Sequence, residues 1–203
     1  MLRPARTANH IEQKESGMRV GIVVGSIREG RKGRHVGDWA LTHARAWAEA
    51  NDADVQFELI DLKDFDLPLL TAAVVPGAAN RKYDDERVRN WSAAIDACDA
   101  YVFVTPEYNH GVPGAFKNAV DSLGPEWSGK TVAFVSYGAD SGVRAVEQWR
   151  QIMGNFQMFV VRAQVSCSTF AEFTDGEFTP TERRAGSLGD LLTQLVAATR
   201  KLA

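Results

Sequence analysis

The segment from Ala100 to Leu123 constrains the fold more than any other. Its apolar run, Ala100 to Val104, reads as a buried strand. The next residues, Thr105 to Val112, hold the chain in a fixed loop, because Pro106 and Pro113 restrict the backbone while Gly111 and Gly114 let it approach neighbours closely. A helix follows, with Phe116, Ala119, Val120 and Leu123 on one face. Strand, rigid loop and helix in immediate succession are the unit of an α/β sheet. Within the loop, Tyr108 beside Asn109 offers a flat ring next to an amide, a pairing that suits a planar heteroaromatic ligand.

The same unit occurs at the start of the chain. Met18 to Val24 is rich in β-branched residues and opens into Gly25, Ser26, Ile27, Arg28, Glu29, Gly30, Arg31, Lys32, Gly33 and Arg34. A helix then begins near Gly33, with Val36, Trp39, Ala40, His43, Ala44 and Trp47 at helical spacing. Glycines that allow amides to face inward, the positive end of a helix and four basic side chains, Arg28, Arg31, Lys32 and Arg34, together make an anion site. The triphosphate-binding pattern fails here, because Arg31 stands where lysine is required and no magnesium-binding hydroxyl follows it. The glycine trio that admits a pyrophosphate is also missing after this strand, so a single terminal phosphate fits best.

The whole chain repeats this alternation. Strands are expected at 18–25, 55–60, 100–105, 131–137 and 157–166, and helices at 33–50, 84–97, 112–123, 142–154 and 181–201. Short apolar strands of this kind belong to a parallel sheet covered on both faces. The expected fold is a three-layer α/β sandwich with a five-stranded parallel sheet of order 2-1-3-4-5. In that order the first and third strands are neighbours, and their carboxyl ends form the crevice where ligands bind. The loop after the fourth strand, from Ser136 through Tyr137 and Gly138 to Gly142, lies on the same edge. Residues 1–17 read as a disordered tail ahead of one domain, 18–203.

Composition narrows the function classes. A net charge of −3 provides no basic field for nucleic acid, so the cluster at 28–34 concerns a small ligand. No apolar run reaches membrane-spanning length and the start lacks a secretory apolar core, which gives a cytoplasmic expectation. Cys98 and Cys167, without C-x-x-C spacing or a histidine cluster nearby, read as core residues, not as a disulfide or metal site. Among the four histidines only His110 falls in a candidate loop, where a polar rim position is expected. The long link at 62–83 has no periodicity and is expected to be functional or interfacial. Trp91, Trp127 and Trp149 supply large apolar surface either for a subunit interface or for internal packing.

Three motifs together resemble the flavodoxin-like NAD(P)H-dependent FMN reductases, a family that includes quinone, azo-dye and chromate reductases. They are Gly25-Ser26-Ile27-Arg28; Pro106-Glu107-Tyr108-Asn109 followed by Gly111, Pro113, Gly114, Lys117, Asn118 and Asp121; and Ser136-Tyr137-Gly138. The resemblance covers roughly residues 18 to 200 and implies FMN as cofactor with NADPH or NADH as electron donor. It implies that Ser26, Arg28 and the amides of Gly30, Arg31, Lys32, Gly33 and Arg34 hold the FMN phosphate. It further implies that Pro106, Glu107, Tyr108 and Asn109 line the isoalloxazine and that Ser136, Tyr137 and Gly138 close its other edge. Many members carry serine and asparagine where this chain has Arg31 and Gly33.

The implied chemistry passes hydride to the flavin and then electrons to a quinone, free flavin or similar small acceptor in a ping-pong cycle, with no catalytic side chain. The amides of Glu107 to Asn109 are expected to stabilise charge on the reduced ring. Family resemblance also implies a homodimer or homotetramer. An electron carrier or flavin-binding regulator without NAD(P)H turnover is the alternative, and a module binding some other nucleotide would leave the Tyr108–Asn109 loop without a purpose.

Overall fold

The computed structural model describes residues 17–203. The expected tail therefore lies, except for Gly17, outside the described residues. Five parallel strands form the sheet: β1 (Met18–Val24), β2 (Val55–Asp61), β3 (Ala100–Pro106), β4 (Thr131–Gly138) and β5 (Phe159–Ser168), in the order β2-β1-β3-β4-β5. The helices between and after them are α1 (Gly33–Ala50), α2 (Glu86–Asp96), α3 (Gly114–Asp121), α4 (Val143–Asn155) and α5 (Glu182–Leu202). This is the expected fold and strand order.

Strand alternation divides the core into two layers. Val102 and Val104 of β3 face α1 and α5, where they meet Val36, Ala40, Leu188, Leu191 and Leu195. Tyr101 and Phe103 face the opposite side, covered by Trp91 of α2, Phe116 and Val120 of α3, and Trp149 of α4. All residues of β3 and β4 are buried, which explains why their sequences read as continuous apolar runs instead of alternating ones.

Some boundaries shift for local reasons. Asp85 caps α2 by accepting from the Arg87 N–H at 2.8 Å, and Pro113 sets the start of α3 at Gly114. The fifth strand starts two residues later than expected because Gln157 turns the chain at φ 58°. A short hairpin, β6 (Phe173–Thr174) and β7 (Glu177–Phe178), was not legible in the sequence; Phe178 packs edge-on against Trp39 of α1, 5.3 Å between centroids.

The interface option for the three tryptophans is corrected. Trp91, Trp127 and Trp149 are all 0% exposed, and each indole N–H donates inside the domain, to the Ala119 carbonyl, the Val120 carbonyl and Thr105 Oγ1. Internal packing takes them entirely. Both cysteines are free and buried, as expected. Among the described residues no helix is long and apolar enough to cross a membrane.

Register fixes where the loops emerge. Val24 pairs with Val104, Thr105 with Ser136 and Pro106 with Tyr137, so β1, β3 and β4 end side by side. The loops at 25–32, 107–113 and 139–142 therefore leave the same edge, at the switch point between β1 and β3.

Candidate functional site

Gly25 opens the first loop, and its N–H donates to the Val104 carbonyl at 3.0 Å. The Phe116 ring lies so close beneath it that an added Cβ would overlap the ring carbons. Ser26 is buried, and its Oγ lies 2.7 Å from the Tyr108 hydroxyl, which joins the first loop to the third-strand loop. Gly30 turns the chain at φ 60°, and Lys32 precedes α1 without any side-chain cap. The first N–H groups of α1 consequently face the loop without a side-chain acceptor. They form a ready site for an anion.

The four basic residues differ in their commitments. Arg31 donates to the Ser26 carbonyl at 3.1 Å and to the buried carboxylate of Asp61 at 2.5 Å. Arg34 pairs with Asp38 at 2.9 Å and reaches Asp61 at 3.5 Å; its bond to Asp38 holds its pKa above the ordinary arginine value. Lys32 lies over the Phe173 ring at 4.4 Å and donates to the Thr169 carbonyl at 3.4 Å. Arg28 is exposed and sits 5.7 Å from the Tyr108 ring centroid, with no carboxylate partner among the described residues. Arg28 is thus a cation of this loop open to a ligand, and Lys32 likewise has no carboxylate partner among the described residues. Asp61, which ends β2 and braces two of the others, carried no sequence signal beyond a carboxylate closing an apolar strand.

The second loop is a tight reverse turn. Tyr108 and Gly111 exchange both backbone hydrogen bonds at 3.0 Å, and the two residues between them, Asn109 and His110, both have positive φ (49° and 66°). That is the mirror-type hairpin turn, easy for asparagine and strained for histidine. Gln148 of α4 clamps it, donating to the His110 carbonyl at 3.0 Å and accepting from the Val112 N–H at 3.1 Å. Pro106 is the buried last residue of β3, Tyr108 is half-buried and Asn109 is exposed.

Two expectations for this loop change. The Glu107 carboxylate turns away from the loop to the start of α4, accepting from the Arg144 N–H at 3.0 Å and from Arg144 Nε at 2.7 Å. Of the three amides expected to face a reduced ring, that of Glu107 donates to the Tyr137 carbonyl at 3.1 Å and that of Tyr108 to Gly111. The Asn109 N–H has no acceptor among the described residues and remains for a ligand. Gln148 and Arg144, which fix the loop, were missed because a helix with polar residues reads as solvated. Asn118, part of the motif at 106–121, clamps the 62–83 link by accepting from the Leu70 N–H and donating to the Pro68 carbonyl, each at 2.9 Å.

The third loop completes the edge. Ser136 is buried and donates to the Ser141 carbonyl at 2.7 Å, so its hydroxyl is spent on the turn. The Gly138 carbonyl accepts from Ser141 and Thr169, at 3.1 and 2.9 Å. Tyr137 points to the α1 side of the sheet, where its hydroxyl approaches Gly33. Burial pushes its pKa well above the ordinary tyrosine value, and the neighbouring Ser26 hydroxyl, Arg31 and Arg28 only partly offset this. The first loop, Tyr108 and Tyr137 thus converge on the start of α1, while Pro106, Asn109 and Gly138 flank the crevice beside it.

Comparison with known proteins agrees with this geometry. Residues 18–172 match the family model of NADPH-dependent FMN reductase. An NAD(P)H-dependent FMN reductase of Nectria sp is 40% identical over 132 residues, a match spanning 64% of this chain and 64% of that protein. One of Saccharomyces cerevisiae is 34% identical over 148 residues, or 71% of this chain and 78% of the relative. A solved flavoenzyme, an NAD(P)H:acceptor oxidoreductase from Paracoccus denitrificans, shares the fold with a TM-score of 0.66 at 22% identity, covering 91% of this chain and 98% of its own. The chain belongs to the NADPH-dependent FMN reductase family, a family of flavin-dependent oxidoreductases.

Proposed function

We propose that this family member is an FMN-dependent NAD(P)H oxidoreductase of the cytoplasm that passes electrons to a quinone, free flavin or similar small acceptor. The observation that carries the reading is the uncapped start of α1 with the Ser26, Tyr108 and Tyr137 hydroxyls gathered beside it, one loop away from a rigid turn with an exposed amide. These donors suit a phosphate, and the turn suits the edge of a flat ring. When bound, FMN would supply the hydride and electron chemistry that links a reduced nicotinamide to the acceptor.

The chain's own residues orient and exclude. Arg28 and the first amides of α1 would hold the phosphate end. Pro106 and the Asn109 N–H bound the ring, and Gln148 keeps the turn from relaxing when charge develops near it. No side chain is required to move a proton in the hydride step. Donor and acceptor would use the site in succession, so initial-rate plots at several fixed acceptor concentrations should give parallel lines. Intersecting lines would replace this cycle with a ternary complex.

Self-association into a homodimer or homotetramer belongs to the same reading. With the tryptophans buried, its support moves to the link, where Leu69, Leu70 and Val74 are exposed around a cavity of about 620 Å³ and Val75 is exposed next to it in the chain. Light scattering at micromolar concentration tests this, and a monomer there would contradict it.

A further inference from the structure

Tyr137 OH is a buried polar atom with no hydrogen-bond partner among the described residues. Such an atom calls for an explanation, because leaving a buried donor unpaired is costly. The residue is 5% exposed, and its ring is fixed in the layer beneath α1 and α5. Its hydroxyl lies where a side chain on Gly33 would begin: a Cβ added there would stand 2.5 Å from the oxygen. Gly33 is the first residue of α1, whose opening N–H groups have no side-chain cap. A partnerless donor and an uncapped helix start therefore occupy the same few ångströms.

We propose that the Tyr137 hydroxyl is a direct ligand of the flavin's terminal phosphate, and that residue 33 is glycine because this hydroxyl fills its side-chain space. The inference rests on the FMN reading above and adds to it a residue that selects the phosphorylated flavin over riboflavin. Chemistry favours the hydroxyl as donor. Burial keeps it protonated, and a phosphate dianion accepts strongly. Ser26 and Tyr108 already bond each other at 2.7 Å, so together they have one proton left to offer a ligand. Arg31 and Arg34 are occupied by Asp61 and Asp38. Tyr137, beside the Ser26 hydroxyl, is thus a donor at this cradle that completes no hydrogen bond of its own among the described residues.

The test compares FMN with riboflavin, by flavin fluorescence titration of the apoprotein, for the native chain, Tyr137→Phe, Gly33→Ala and the double variant. Loss of a hydrogen bond to a charged group predicts that Tyr137→Phe raises the FMN Kd about 10- to 100-fold while riboflavin changes less than about threefold. The apoprotein should melt at the same temperature or higher, since the unpaired hydroxyl is gone. Gly33→Ala should weaken FMN binding in the native background, where its Cβ meets the hydroxyl. Combined with Tyr137→Phe it should add little, since the ring carbon below is 3.3 Å away.

An unchanged FMN-to-riboflavin preference in Tyr137→Phe overturns the proposal, whether both affinities fall, as for a structural residue, or neither does. If the native chain binds neither flavin, the FMN reading itself falls. Those two failures are distinguishable in one titration set.

Discussion

Replacing Arg31 with methionine separates a brace from a ligand. The side chains of Arg31 and Asp61 are 13% and 3% exposed, and their contact is 2.5 Å. Removing one member of a well-buried pair costs about 3–5 kcal/mol, because the other charge is left without compensation. Here Asp61 keeps the Lys63 N–H at 3.1 Å and the more distant Arg34 at 3.5 Å. We therefore expect Arg31→Met to lose about 2–3 kcal/mol, below the full penalty. At about 2–4 °C per kcal/mol for a chain of this size, melting should fall by roughly 4–12 °C. Urea unfolding of the apoprotein followed by circular dichroism measures the first quantity, and a cycle with Asp61→Asn isolates the pair. The reasoning is refuted if stability changes by less than about 0.5 kcal/mol, as at an ordinary surface site, while FMN affinity falls more than about tenfold. In that outcome the guanidinium serves the ligand.

Gly25→Ala forces a methyl group into the Phe116 ring, which also packs 4.9 Å from Trp149, and should cost about 1–3 kcal/mol or more in a thermal melt; a neutral result would mean that the ring moves freely. His110→Gly relieves a positive φ at the second turn position and should stabilise the apoprotein by about 1 kcal/mol with flavin reduction unchanged. A large fall in the reduction rate would instead give that imidazole a chemical role. Burial, aided by the Glu172 charge, pushes the Cys167 thiol up to about 12, and burial with the Glu58 hydrogen bond also raises Cys98. Iodoacetamide at pH 8 should therefore label the folded chain about a thousandfold more slowly than the chain in urea, where thiol pKa values return to about 8.5. Equal rates in the two conditions would contradict the burial of both thiols.

The fold was legible because its signal is local. Each strand is a short apolar run and each helix has its own stripe, and parallel α/β order follows from their alternation. The site's position was legible for the same reason, since the loops after β1, β3 and β4 must share one edge once the order is known. Side-chain direction was not. In β4 every residue is buried, so no alternation reveals that Tyr137 faces α1 and not the ring crevice. The Arg31–Asp61 brace joins residues thirty apart in sequence, which no periodicity announces. The tryptophans illustrate the same limit, because spacing marks an apolar face without saying whether the same chain covers it. The hairpin at 173–178 was hidden by its two-residue strands.

The most direct test mixes the FMN-loaded protein with NADPH or NADH under anaerobic conditions in a stopped-flow instrument and follows the visible flavin band. A reductase bleaches that band in a single turnover, and a quinone added afterwards restores it. A protein that binds FMN tightly yet leaves the band unchanged with both nucleotides would contradict the account and identify a carrier or regulator instead.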